Sequence, residues 1–285
     1  LLHSVTENMN LDVSPTDIID VFTWACRNGH VDIVQILVDH YAIHIKSYIP
    51  NAFRSACEYG HKEVVNMLLN HSALNIDINA TETNGETAIM MACNNGHKDV
   101  VQLLLDRLDI DLNAYNYIGM TAFTLACNKG HKDVVQLLLN HSNSNIDLNA
   151  RNRRGMTAFI LACNGGHKDV VKLLLDHPDP KIDLNAIDNH GQNAFMAACN
   201  NGHKDVAELL LEHSDPNIDL NAKDGEGSTA FMLACRQGCT KVVKLLFDKV
   251  MLGLDITVPN FGLFQPGSGV YSSQIREQHR RYQNW

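Results

Sequence analysis

From about residue 16 to residue 256 the chain repeats one alternation of apolar and polar positions. Its clearest copy is Gly119 to Ala150, GMTAFTLACNKGHKDVVQLLLNHSNSNIDLNA. Thr121 to Lys129 reads as a short helix and His131 to Asn140 as a second, which carries Val134, Val135, Leu137, Leu138 and Leu139. Two helices of this length cannot shelter that much leucine and valine by themselves, so neighbouring copies must do it. The recurring cysteine marks the register: Cys26, Cys57, Cys93, Cys127, Cys163, Cys199 and Cys235 lie 31, 36, 34, 36, 36 and 36 residues apart. Such a period describes a repeat array. It replaces the one or two globular domains that 285 residues would otherwise imply with a single elongated stack.

Seven copies are expected, at about 16–42, 43–78, 79–112, 113–148, 149–184, 185–220 and 221–256, after a polar flank 1–15 in which Ser14-Pro15 opens the first helix. Ile18, Ile19, Phe22 and Trp24 supply the first helix of copy 1, and HVDIVQILV from His30 the second. Between Tyr41 and Asn51 the Gly-x-Thr of later copies is missing, so an irregular turn is expected there in place of a hairpin. From Asn79 each junction reads Asp, apolar, Asn, Ala, four variable positions broken by one Gly, then usually Thr. The Gly at 85, 119, 155, 191 and 227 supplies the positive φ of a tight turn, and the Thr caps the following helix. A hairpin-like finger between helix pairs is the consequence. Asp99, Asp133, Asp169 and Asp205 fall in the first turn of the second helices, where negative charge complements the helix dipole. After Val250 the pattern decays: Asp255-Ile256-Thr257-Val258 imitates the opening of an eighth finger, and 257–285 reads as an incomplete repeat with a loosely held tail.

A formal net charge of −9 and a pI near 5.9 argue against nucleic acid or an anionic membrane as the main partner, because both need concentrated Lys and Arg. No stretch approaches the 18 or so apolar residues of a membrane span. The chain starts at Leu1 without a methionine, which leaves room for an upstream start. Seven of the eight cysteines occupy one repeat position. Stacked helices sit about 8–10 Å apart, beyond the Cα separation of about 7 Å that a disulfide tolerates. Cysteines at equivalent positions therefore cannot pair; they are read as small buried fillers in a reducing, intracellular and cytoplasmic setting.

The order of finger, TAFxLAC helix, two polar positions, Gly-His, KDVVxLLL helix and Asp-Ile/Leu-Asn-Ala resembles the ankyrin repeat over about residues 16–256, with the first two copies degenerate. The resemblance implies an all-α solenoid of stacked helix-turn-helix pairs, with β-hairpin-like fingers projecting to one side and a concave surface that binds other proteins. Three departures stand out. The family's Thr-Pro-Leu-His becomes Thr-Ala-Phe-x at Thr121 to Thr124 and its equivalents, so packing by Met90, Ile160, Met196 and Met232 is expected in place of the bonds that the family makes through that His. The 36-residue copies carry three residues more than the family period of about 33. No polar carboxy-terminal cap is evident.

Cys-x-x-x-His recurs six times, from Cys26/His30 to Cys199/His203, with Cys239 replacing the His in copy 7. Zinc requires three or four convergent ligands and each copy offers two, so the His is read as a hydrogen-bonding turn residue and neither a metal nor a cofactor is expected. No pair is made special by a third group, and no phosphate-cradling loop or nucleophile elbow occurs; the chain is not expected to be an enzyme.

The informative residues vary while the framework stays fixed, and partner contacts favour Tyr, Trp, Arg and Met. Tyr115, Tyr117, Ile118 and Met120 on one finger and Arg151, Arg153, Arg154 and Met156 on the next meet that test. The resemblance adds the two positions before Gly-His on the concave side, among them Lys129, although their prevalence of Asn makes them less diagnostic. An acidic or carboxylate-bearing protein segment would suit this arginine patch. The finger residues Asn79, Asn113, Asn149, Asn185 and Asn221 match a position hydroxylated in some ankyrin proteins, but such side chains more often stabilise the turn itself. The expected function is that of a monomeric, non-enzymatic scaffold binding a partner protein. The alternative is the targeting module of a larger protein whose active part lies elsewhere.

Overall fold

The computed structural model describes residues 14–71, 74–141, 145–177, 182–213, 218–252 and 254–256. The expected tail 257–285, most of the flank 1–15 and parts of the polar loops after the second helices lie outside them. Among the described residues fourteen α-helices form seven pairs and no strand occurs. The first helices of the pairs are α1 (Pro15–Asn28), α3 (Ile49–Glu58), α5 (Ala88–Asn95), α7 (Ala122–Lys129), α9 (Ala158–Asn164), α11 (Ala194–Asn200) and α13 (Ala230–Arg236). The second helices are α2 (Val31–Ile45), α4 (Lys62–Asn70), α6 (Lys98–Leu105), α8 (Lys132–Asn140), α10 (Lys168–Leu175), α12 (Lys204–Glu212) and α14 (Thr240–Met251). First helices pack in one row and second helices in another; the first row is the tighter, so the stack curves toward it.

Capping decides where the helices begin. Thr121 stands just outside α7 and its Oγ1 accepts from Thr124 N at 3.3 Å, while Thr124 Oγ1 accepts from Thr121 N at 2.7 Å. This reciprocal box satisfies two of the amides that a helix start leaves unpaired. Thr87, Thr157, Asn193 and Thr229 accept from the equivalent amide in their copies. Ser14 does the same for α1 through Thr16 N, with Pro15 following it.

Each copy is then fastened to the one before it. His61, His97, His131, His167 and His203 donate from Nε2 to the carbonyls of Arg27, Glu58, Asn94, Asn128 and Asn164, at 2.7–3.0 Å. The His is structural, as expected, but it serves the joint with the preceding copy. Gly96 illustrates the fit: its φ of 77° requires glycine, and a Cβ there would lie 2.5 Å from Nδ1 of His131. Cys239 makes only a 3.7 Å contact from Sγ to Asn200 O at the corresponding place. The finger asparagines instead reach forward to the run that leads into the next finger, and do not stabilise their own turn. Asn113 donates from Nδ2 to Asn145 O at 2.6 Å and accepts at Oδ1 from Asp147 N at 2.9 Å, and Asn79 brackets Asp109 O and Asp111 N in the same way. At the far end Asn221 holds Asp255 O at 2.9 Å and Ile256 is buried; the expected eighth finger itself lies outside the described residues.

The core is a file of buried aromatic and aliphatic side chains, Phe22, Phe53, Ile89, Phe123, Phe159 and Phe195, flanked by alanines and cysteines. Burying each large side chain contributes about 1.5–3 kcal/mol. Desolvation pushes the Cys26 thiol up to about 12 and raises Cys57, Cys93, Cys127, Cys163 and Cys199 as well. All eight cysteines are free. Cys235 departs from the expected burial and is exposed, because no further described first helix covers α13; Met232, expected to pack inside, is exposed for the same reason. Met90, Ile160 and Met196 are buried as expected.

The junction 41–51 also differs. Helix α2 kinks at Tyr41, continues to Ile45 and passes through a 3-10 turn, Lys46–Tyr48, directly into α3. No glycine supplies a positive φ there, and burial of Ile45 and Ile49 favours continued helix over a turn. Arg54 stands where later copies carry Met90 or Ile160; it is buried, with its Nε 3.4 Å from Glu82 Oε1.

Candidate partner-binding surface

The fingers of copies 4 and 5 (113–121 and 149–157) are built by short polar side chains. Asn116 Oδ1 accepts from Ile118 N at 3.1 Å and Met120 N at 2.9 Å, and Asn152 repeats this with Arg154 N and Met156 N. Asp188 and Asp224 do so in the next two fingers. Sequence reasoning passed over this position as variable; its restriction to Asn and Asp in four successive fingers was the available signal. Gly119 completes the turn at φ 78°, and a Cβ on it would lie 3.0 Å from Arg153 N.

Adjacent fingers are stitched at their tips by one backbone bond each. Tyr117 N donates to Asn84 O, Arg153 N to Ile118 O, Asn189 N to Arg154 O and Gly225 N to His190 O, at 2.8–2.9 Å. The tip is therefore rigid in backbone while its side chains stay outside the framework. Between fingers 4 and 5 this leaves a groove of about 500 Å³, with Tyr115 and Tyr117 from one finger, Arg151 and Arg153 from the other, and Asn113 and Asp147 also lining it.

The nine residues singled out from the sequence divide under this geometry. Tyr115 and Tyr117 are 74% and 60% exposed, and with Arg151 and Arg153 they line the groove. Ile118 and Arg154 are exposed beside them without lining it, and Lys129 is exposed at the end of α7. Met120 and Met156 are each 3% exposed and have no surface to offer. They sit on the returning limb of their fingers, which faces the core; Asn152 Nδ2 reaches the Met120 sulfur at 3.5 Å. Arg151 is already committed, its Nη2 donating to Ile187 O of the next finger. The guanidinium groups of Arg153 and Arg154 have no partner among the described residues.

A second feature was not found from the sequence. On the first-helix row of copies 1 and 2, Trp24 is 55% exposed and stacks on His30 at 4.8 Å, and Arg27 lies over the Tyr59 ring with Nη2 2.6 Å from its hydroxyl. Arg27 occupies a position that is Asn in copies 3 to 6, and Tyr59 one that is never aromatic in copies 3 to 7, which was the signal for them. Among the described residues no three His, Cys, Asp or Glu side chains converge as ion ligands, and no helix is long and apolar enough to cross a membrane.

A curved, single-file stack of helix pairs with stitched fingers defines a helical repeat protein. The family of ankyrin repeats, three copies to a match, fits residues 3–82, 71–152, 144–224 and 180–260. The chain belongs to the ankyrin repeat family. It is similar to the crystal structure of EF0377, an ankyrin repeat protein, at a TM-score of 0.59 and 28% identity, over 70% of this chain and 97% of that one. A comparison with curated proteins finds no match. Ankyrin repeats generally mediate protein–protein interaction.

Proposed function

We propose that this chain is a recognition array acting by binding alone, as a monomer in a reducing intracellular setting, and that fingers 4 and 5 hold an acidic segment of a partner protein. The observation that carries the reading is the groove between them, in which two exposed tyrosines face an arginine finger whose Arg153 and Arg154 guanidinium groups have no partner among the described residues. In a chain of net charge −9 these two cations form a local exception, and a carboxylate can accept two parallel bonds from one guanidinium. The tyrosines offer large, rigid contact area at little cost in side-chain entropy.

The test is fluorescence anisotropy with a labelled decapeptide of alternating Glu and Phe, against its Lys and Phe counterpart. The Glu peptide binds, weakens as salt rises, and loses about tenfold or more in affinity on Arg153→Glu/Arg154→Glu. Arg151 is left in place because it braces the next finger. Equal affinity of the double variant and the unaltered protein would remove the groove from the account.

A further inference from the structure

The last copy presents an unfinished packing face. Met232 on α13 is 37% exposed, whereas its equivalents Met90, Ile160 and Met196 are 0–1% exposed. Cys235 is exposed where Cys127, Cys163 and Cys199 are fully buried, and Val243 on α14 is half-buried where Val135 and Val171 are fully buried. Copy 1 has no predecessor among the described residues, yet it buries Cys26 and Val34 at the same two positions. The successor is therefore what covers this face in each internal copy.

The chain is delivered to the open face. Asn221 Nδ2 donates to Asp255 O at 2.9 Å, and Ile256, the last described residue, is 5% exposed. In register, Asp255 stands for Asp147, after which copy 5 uses residues 149–164 to build its finger and α9, the helix that packs on α7. Residues 257–285 are more than enough for the same crossing. Their sequence is apolar but unsuited to a covering helix. Pro266-Gly267-Ser268-Gly269 falls where α9 begins in copy 5, and glycine and proline are the residues least favourable in a helix interior. Phe261, Leu263, Phe264, Val270 and Tyr271 lie to either side.

We infer that residues 259–271 fold back as an apolar strap over the face made by Met232, Cys235 and Val243, and so close the array without an eighth helix pair. This inference stands apart from the finger groove and does not rest on it. Tethering argues for this occupant: a segment attached at Ile256 meets the face at an effective concentration of roughly millimolar order, above that of a separate molecule. The rival occupant is the first copy of a second molecule. There Val21, Trp24 and Ile33 are exposed where Ala122, Leu125 and Val134 are 1–5% exposed, so the chain has an open packing face at each end. Two such faces would stack molecules head to tail into an open filament, which a strap over one of them prevents.

The test is alkylation of the full chain by iodoacetamide with peptide mass mapping; trypsin separates Cys235 from Cys239 by cutting after Arg236. Phe261→Ser/Leu263→Ser/Phe264→Ser should speed alkylation of Cys235 by about tenfold or more, because access governs the reaction of a thiol. Cys127, Cys163 and Cys199 should stay unreactive in the same digest, which reports that the stack is folded. An equal rate at Cys235 in the two proteins overturns the strap. Repeating the measurement over roughly a hundredfold range of protein concentration separates the occupants. Protection by the strap is independent of concentration; protection that fades on dilution assigns the face to a second molecule and overturns the strap. Hydrogen exchange of the unaltered chain needs no variant and decides the matter where the triple variant does not fold. Amides of 261–271 should exchange about tenfold or more slowly than in an unfolded chain, and exchange at the unfolded rate overturns the strap.

Discussion

Copies 1 and 2 share their helix pair with copies 3 to 6 but not their joints. Between copies 1 and 2 the chain crosses in nearly continuous helix, through the kink at Tyr41 and the 3-10 turn at Lys46–Tyr48. Between copies 4 and 5 it leaves helix altogether, builds a finger, and is fixed by the Asn113 bracket, the Arg153–Ile118 backbone bond and the His167–Asn128 bond. Of these three devices only the His bond has an equivalent at the first joint, from His61 to Arg27. Helix stacking, that bond, the Arg27–Tyr59 pair and the 3.4 Å contact of His71 Nε2 with Asp39 Oδ1 therefore join the two copies without a finger. The finger adds something else, a backbone held on both sides whose tip side chains are not needed for packing. That separation of duties allows Tyr117 and Arg153 to differ completely in chemistry at equivalent positions.

Substitutions can break this comparison, and the largest effect is expected in the core. Phe159→Ala should cost about 3–5 kcal/mol, because copy 5 is packed on both sides. Phe22→Ala, equally buried but in the first copy, should release copy 1 in an early, separate transition, since stability in a linear array is a sum of copies and their interfaces. Urea unfolding on a Trp285→Phe background, with Trp24 fluorescence reporting copy 1 and circular dichroism reporting the whole, distinguishes them. One shared cooperative shift for both variants would erase the distinction between end and middle.

Next in size is the bracket. Asn113→Ala removes two hydrogen bonds between finger 4 and the run that leads into finger 5 and should destabilise by about 1–3 kcal/mol, with faster hydrogen exchange at Asp147 N. Unchanged exchange there would mean that the bracket is incidental to the joint. The smallest effect sharpens the picture from the other end. Cys239→His should stabilise by about 0.5–1.5 kcal/mol by restoring the donor to Asn200 O, since Gly202 already leaves room for the ring. A lower melting temperature would show that copy 7 is joined by a different logic.

Much of this was legible in the chain. Short-range rules fixed the helix pairs, their caps at Thr87, Thr121, Thr157, Asn193 and Thr229, and the glycine turns, because each depends on residues within four positions of one another. The candidate cluster was legible in part, since Tyr115, Tyr117, Arg151 and Arg153 do line one groove. What escaped was direction. Met120 and Met156 have the composition of contact residues, yet their limb of the finger turns inward. Arg151 and Arg153 are alike in sequence, yet one guanidinium braces Ile187 and the other has no partner among the described residues.

The amino-acid pattern alone determined the repeat, its period and the shape of each unit, because local hydrogen bonds and apolar spacing are written within a single copy. Only the stacked structure decided which neighbour each polar side chain serves. His131 reaches back 37 residues to Asn94, and Asn113 reaches forward 32 residues to Asn145. Both reaches come from the offset between layers, and an offset in space has no counterpart in the order of residues along one copy.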